Sequence, residues 1–360
     1  MPREKRRVRR FRCLACGRSF SARTFTATYW LHRPDLFLRV ASLSIAGSGL
    51  RQIGRELGIS HATVARHLAR AGRHCLLYHR QTVAAAVITE PIAFDGFETF
   101  EYSQYFPCHL NLAAGHDSWF LYHFTDSPLR RKGSMTQRQK ARRAELEETL
   151  GPANPKAVEE GIVDLLRAVL RQTPAREIRG PETSPAEPPA GRRASVSDPH
   201  VVQLHSDDHP AYGRALRRLR PEFPGARILR RVTPSTDPRS RANPLFSVNL
   251  ADLLLRHHGA NHRRETIAFS KRRQAMIERL AVFTVWRNYL KWRREKQPGE
   301  TAAMRAGILD RRIAWEEVFG HRLFPCRRLL PGAWGSYYWR RVRTRALGDQ
   351  QSGHHPRYAF

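Results

Sequence analysis

Two aspartates in this chain stand directly after short apolar runs. In the stretch VVQLHSDDHPAY, residues 201–212, Val201, Val202 and Leu204 read as a short buried strand and Ser206-Asp207-Asp208-His209-Pro210 as its end. In PIAFDGFETF, residues 91–100, Ile92, Ala93 and Phe94 form a second apolar strand ending in Asp95, followed by Gly96. Adjacent carboxylates at the end of a core strand repel each other, so they call for a cation, a cap or solvent. Mg²⁺ takes carboxylate oxygens and keeps waters, so two acids from different strands together with phosphate oxygens make a suitable cage. A third acid would let two ions sit about 3.5–4 Å apart and act on both the attacking and the leaving oxygen. The plainer alternative makes Asp95 and Asp207 turn-formers with solvated side chains.

The phosphate in that argument is prompted by charge. Lys and Arg total 63 against 32 Asp and Glu, a formal net charge of +31 over 360 residues. Such an excess makes a polyanion the default partner, and the dominance of Arg suits phosphates and guanine edges. No run approaches the roughly 18 apolar residues of a membrane span. The expectation is a cytoplasmic, nucleoid-associated protein with no membrane partner. The cysteines are Cys13, Cys16, Cys75, Cys108 and Cys326, an odd and scattered set that makes a poor disulfide framework.

Two motifs near the start suit nucleic acid. LRQIGRELGISHATVARHLARAG, residues 50–72, has a helix-turn-helix pattern: Leu50, Ile53 and Leu57 make one apolar face, Gly58 permits the turn, and Ser60 can cap the next helix. Val64 and Leu68 would pack back. That leaves Ser60, His61, Thr63, Arg66, His67 and Arg70 for the exposed side of a recognition helix in a major groove. Upstream, RCLACGRSF offers Cys13 and Cys16 as half of a zinc site, which needs four ligands. Three readings stand: a first knuckle is missing, His32 and another group complete the set, or no Zn²⁺ binds.

The elements that must position these residues follow in order. A basic, turn-rich start gives way to helices from about Pro34 to His79, then to strands from about residue 87, with a hairpin around Gly115-His116-Asp117. Two helices follow, at MTQRQKARRAELEETLG and PKAVEEGIVDLLRAVLRQ, and then a Pro-rich connector. After the strand at 201–204 come a basic helix from Tyr212 to Leu219, a strand at ARILRRV, and a helical stretch from about Asn249 to Arg293, broken near Gly259 and Ser270. The last 65 or so residues are aromatic and Arg-rich and suggest no role.

In this order the motifs resemble those of the DDE transposases of bacterial insertion sequences, in which a zinc ribbon and a helix-turn-helix precede an RNase H-like catalytic domain. The resemblance runs from about Arg12 to Lys291 and rests on the front motifs with FDGFE, SDDHPAY and RRETIAFSKRR. It implies an α+β or α/β multidomain chain: a basic arm and zinc-ribbon remnant over 1–33, a helix-turn-helix domain over 34–80, and a catalytic mixed-sheet domain over 88–293. The connector lies at about 173–199, and 294–360 is a C-terminal extension.

The resemblance puts the first catalytic aspartate on Asp95 and the second on Asp207, with Tyr212 downstream and Asp208 solvated. The third acid departs from the pattern. Matching Ile267, Phe269, Ser270 and Lys271 to the relatives puts Asn249 where their glutamate belongs, and Asp252 one turn further on the same helix face. Asp252 is the choice; Glu265, flanked by Arg263 and Arg264, is the alternative. A competing structural reading makes Asn249-Leu-Ala-Asp252 a capping box. The implied activity is Mg²⁺-dependent cleavage and strand transfer at the element's own inverted repeats, with two Mg²⁺ (or Mn²⁺) ions on Asp95, Asp207 and Asp252. Arg256 would touch a phosphate or pair with Asp252. The implied partners are double-stranded DNA, as element ends and target, and further copies of the chain. The rivals are a DNA-binding regulator or decayed element without activity, and a nuclease that cuts without joining.

Overall fold

A computed structural model of the chain describes residues 8–174, 200–263 and 266–347. A small antiparallel hairpin, β1 (Arg10–Arg12) and β2 (Ser19–Ser21), opens it, with Phe11 opposite Phe20. Three helices follow: α1 (Leu36–Ile45), α2 (Leu50–Leu57) and α3 (His61–Val83). Gly58 ends α2 in the left-handed region at φ 61°, where glycine carries no Cβ penalty. Gly54 is needed for a different reason: a Cβ there would lie 2.7 Å from the Ile59 carbonyl, so only glycine lets the turn fold back so closely. Leu36, Val40, Ile53, Leu57, Val64 and Leu68 make a small core among the three helices.

The central sheet contains β3 (Ile92–Phe100), β4 (Pro107–Gly115), β5 (Leu121–Pro128), β6 (His200–Ser206) and β7 (Ala226–Val232), in the order β5-β4-β3-β6-β7. Strands β3, β4 and β5 are antiparallel neighbours, whereas β6 and β7 run parallel to β3. Between β5 and β6 lie α4 (Gln137–Leu150) and α5 (Ala157–Leu170); between β6 and β7 lies α6 (Pro210–Leu219). The chain is thus a mixed α/β protein with a five-strand mixed sheet, many helices and a small N-terminal hairpin. Among the described residues no helix is long and apolar enough to cross a membrane.

Two element boundaries differ from the sequence reading. Strand β3 does not end at Asp95. It continues to Phe100, because β4 pairs with it along its full length, from Ile92 opposite Gly115 to Phe100 opposite Pro107. Helix α7 (Phe246–His258) begins three residues before Asn249, so Asn249 and Asp252 lie inside the helix rather than at its start. The capping-box reading fails for that reason.

Beside the small front core, a second and larger apolar cluster extends through the rest of the described chain. It runs from Ala27 through the sheet to Val342. Helix α3, 23 residues long, leaves the small front core halfway and packs its second half against α8 (Arg273–Val285). A π-helical turn at Trp286–Leu290 ends α8. The C-terminal segment, to which the sequence assigned no role, contributes α9 (Ala302–Arg305), α10 (Trp315–Gly320) and α11 (Trp334–Tyr338) to this core. Trp334 Nε1 donates to the Phe124 carbonyl at 2.8 Å, Tyr337 donates to Asp126 Oδ1 at 2.5 Å, and His74 Nε2 meets the Val318 carbonyl at 2.8 Å. This segment therefore ties the sheet to α3.

Candidate functional site: three carboxylates where two strands part

Strands β3 and β6 pair only through Ile92 with Leu204 and Ala93 with His205. Past that point their pairing ends, close to the carboxyl end of β6, and open α/β sheets generally take ligands outside the carboxyl ends of parallel strands. Asp95 sits on β3 two residues beyond the last pair, and Asp207 is the first residue after β6. Helix α7 packs across β3 and β4 and brings Asp252 to the same place.

Each acid is held differently. Asp95 Oδ1 accepts from the Gly96 N–H at 2.7 Å and from the Tyr212 hydroxyl at 3.2 Å. Tyr212 is fully buried on α6, its ring packed on Phe94 with centroids 5.1 Å apart. Asp207 Oδ1 accepts from the His209 N–H at 3.0 Å, as in an Asx turn, while Asp208 next to it is exposed. Arg230 on β7 braces this strand end: its Nε donates to Ser206 Oγ at 2.7 Å and its Nη2 to the Asp207 carbonyl. Asp252 has an Oδ1 sealed from solvent with no hydrogen-bond partner among the described residues.

The three share one electrostatic field. Burial, and then the Asp207 charge, raises the Asp95 carboxyl above the usual carboxylate range, against the opposing pull of the Gly96 N–H, Tyr212 and His109. Burial, and then Asp95, pushes Asp252 well up, opposed by Arg256 and Arg239. The Tyr212 hydroxyl is pushed up by burial and then by Asp95 and Asp207. Arg256 and Arg239 offset only part of the cost of burying Asp252. As placed, no group of three or more His, Cys, Asp or Glu side chains among the described residues is arranged to hold a metal ion.

Two further groups border the acids. His109 on β4 lies opposite Glu98, its Nε2 3.8 Å from Glu98 Oε2 and its Nδ1 buried without a partner among the described residues. Gly96 makes room for it: a Cβ at that position would come within 2.7 Å of His109 Nδ1. His209, at the start of α6, has its ring 6.4 Å from that of His109. Sequence reasoning did not find His109, because its place beside Asp95 follows from strand register alone. Arg256, one turn beyond Asp252, lies over the Phe97 ring at 4.3 Å and reaches the Glu98 carbonyl at 3.4 Å. Asn249 is half-buried on the same helix. Glu265, the alternative third acid, lies outside the described residues.

At the front, Ser60 caps α3, its Oγ accepting from the Thr63 N–H at 3.2 Å. Ser60, His61 and Arg66 are exposed, and Thr63 Oγ1 accepts from Arg66 Nη2 at 3.0 Å. Two of the expected exposed residues face inward instead. His67 is 3% exposed, its ring 5.8 Å from that of Phe37, and burial pulls its imidazole down to about 4. Arg70 donates to the carbonyls of Ala27 and Tyr29, so it fastens the segment before α1 to α3. The cause is the same for both: α3 buries this face against α1 and the preceding turn.

Cys13 and Cys16 flank the turn of the β1–β2 hairpin, where the Gly17 N–H donates to the Cys13 carbonyl at 2.9 Å and Gly17 has φ +69°. Hydrogen bonds from the Cys16 backbone, the Cys16 thiol and the Ala15 backbone hold the Cys13 thiol below its usual range. His32 is exposed, and among the described residues no further ligand joins the two thiols, where a structural zinc takes four. No protein-family model matches the chain, and no characterised protein matches it in sequence.

Proposed function

We propose that the chain is a metal-dependent DNA-processing enzyme of the DDE transposase kind, acting on the ends of its own element. The observation that carries this reading is the placement of Asp95, Asp207 and Asp252, from a strand, a strand end and a helix, at the point where the pairing of β3 and β6 ends. The mixed sheet and flanking helices support the RNase H-like domain that the resemblance implies. The capped α3, with exposed Ser60, His61 and Arg66 following a glycine turn, supports a helix-turn-helix that docks duplex DNA.

The donor set fits Mg²⁺ or Mn²⁺ in chemistry and charge. All three groups are hard oxygen ligands, and a buried carboxylate oxygen without a partner among the described residues, as on Asp252, is what a cation satisfies. Asp95, Asp207 and Asp252 would hold two such ions, which would supply activation of a water or a DNA 3′-hydroxyl and stabilisation of the leaving oxygen. The protein's own side chains set the geometry. Tyr212 and the Gly96 N–H fix one oxygen of Asp95, Arg230 fixes the strand end that carries Asp207, and packing of α7 on β3 fixes Asp252. No tyrosine or serine nucleophile is required. Joining two ends to a target calls for more than one copy of the chain on DNA.

A second reading is favoured by Asn249, an amide on α7 at the position where the resemblance expects a carboxylate. In that reading the chain retains DNA binding and has lost cutting. The test is incubation of the purified full chain with duplexes carrying the element's ends. Cleavage and joining that require Mg²⁺ or Mn²⁺ support the enzyme. Tight binding to the ends with no cut strand under either ion assigns the chain to the second reading.

A further inference from the structure

We propose that an arginine-rich pocket, formed by Arg241, Arg293, Arg294 and Arg305 beside Trp119, binds phosphates of the DNA strand that runs to the carboxylates; this rests on the DNA-processing reading above. Two adjoining cavities, of about 300 and 200 Å³, share Arg293, Arg294 and Arg305 in their walls. Arg241 and Trp119 line the second, together with Phe246, the first residue of α7.

The pocket carries more positive charge than it neutralises. Glu300 lies 3.6 Å from Arg293 Nη1 and 3.8 Å from Arg305 Nη1, and Asp117 is engaged by His116 at 2.9 Å. Four guanidinium groups thus face two carboxylates. Arg293 is the anchor: its Nη2 donates to the Asp117 carbonyl at 2.8 Å, and its Nε is buried with no partner among the described residues. Burial, and then repulsion from Arg294, Arg305 and Arg241, pulls Arg293 below its usual value despite Glu300. Crowded like charges of this kind are stabilised by an anion, and planar guanidinium forks match phosphate oxygens.

Trp119 organises the cluster. The guanidinium groups of Arg293 and Arg241 lie 4.0 and 5.6 Å from its ring centre, so the indole face holds both cations. Trp119 sits at φ +63° in the turn between β4 and β5, a left-handed conformation that is unfavourable for a bulky residue. Its ring also packs on Phe246 with centroids 5.3 Å apart, which couples the pocket to α7. Asp252 lies six residues along that helix from Phe246, roughly 9 Å of axial rise.

The test is the salt dependence of duplex binding by the full chain, for wild type and the Arg294→Ala/Arg305→Ala double variant. Both side chains are exposed, so an unchanged urea midpoint is expected and is checked in parallel. Loss of two phosphate contacts lowers the slope of log affinity against log salt by about 1.8, on every sequence alike. The wild-type advantage then shrinks roughly tenfold between about 50 and 200 mM salt. The Arg294→Lys/Arg305→Lys variant, which keeps the charge, retains most of the slope. A double-alanine variant with wild-type slope and affinity overturns the pocket and leaves the DNA reading intact. A wild-type chain with no salt-dependent affinity for duplex overturns both.

Discussion

The Tyr212 hydroxyl donates to Asp95 Oδ1 at 3.2 Å, linking the start of α6 to the middle of β3 at the point where the pairing of β3 and β6 ends. One oxygen of Asp95 is thereby fixed, and the repulsion between Asp95 and Asp207 is borne by a rigid frame rather than by two mobile side chains. Tyr212 touches no reacting atom in this account; it is a positioning residue.

Tyr212→Phe keeps the ring on Phe94 and removes one hydrogen bond. The loss is about 0.5–1.5 kcal/mol, or up to roughly tenfold in cleavage rate. The bond favours the ionised form of Asp95, so without it the Asp95 carboxyl rises further above its ordinary value. The acid limb of the pH–rate profile should move to higher pH. An unshifted limb with an equal loss of rate would make Tyr212 merely structural.

On the front helices, Arg66→Ala should weaken binding to the element's end by about 1–3 kcal/mol if the side chain reads a base edge, and nearly equally on all sequences if it meets phosphate. Arg70→Ala should behave differently. It removes the donors to the Ala27 and Tyr29 carbonyls and should cost about 1–3 kcal/mol of stability in urea unfolding. A gel-shift titration and an unfolding curve on both variants separate the two roles; Arg66→Ala binding like wild type would remove Arg66 from the interface.

Asp252 bears on stability as well as on activity. Its carboxyl is raised in the folded chain, chiefly by burial, so its contribution is fully present below the unfolded value and is lost as pH rises through the folded one. In Mg²⁺-free buffer at neutral pH, Asp252→Asn should therefore stabilise the fold, by roughly 1–3 kcal/mol. The gain should fade as pH falls and the native carboxyl becomes protonated. A stability loss in urea unfolding at neutral pH would mean that the carboxylate is satisfied within the protein.

Much of this arrangement was legible in local pattern. The apolar run before Ser206, the strand at 226–232 and the helices at 137–150 and 157–170 follow from periodicity, which each segment carries by itself. What escaped depends on partners remote in the chain. Strand β3 extends past Asp95 because residues such as Thr99 find Cys108 on β4. His67 and Arg70 turn inward because α3 covers Phe37 and the carbonyls of Ala27 and Tyr29. The aromatic C-terminal segment shows no period, yet Trp334 and Tyr337 are almost wholly buried, since they fill a surface made by β5 and α3.

The most direct test of the three-carboxylate account is Mg²⁺-dependent cleavage of an element-end duplex by Asp207→Asn and Asp208→Asn, side by side. The charge of Asp207 acts on Asp95, whereas Asp208 is exposed. The account predicts that Asp207→Asn abolishes cleavage with end binding and unfolding midpoint retained, and that Asp208→Asn keeps most of the activity. Wild-type cleavage by Asp207→Asn, or loss confined to Asp208→Asn, would contradict it.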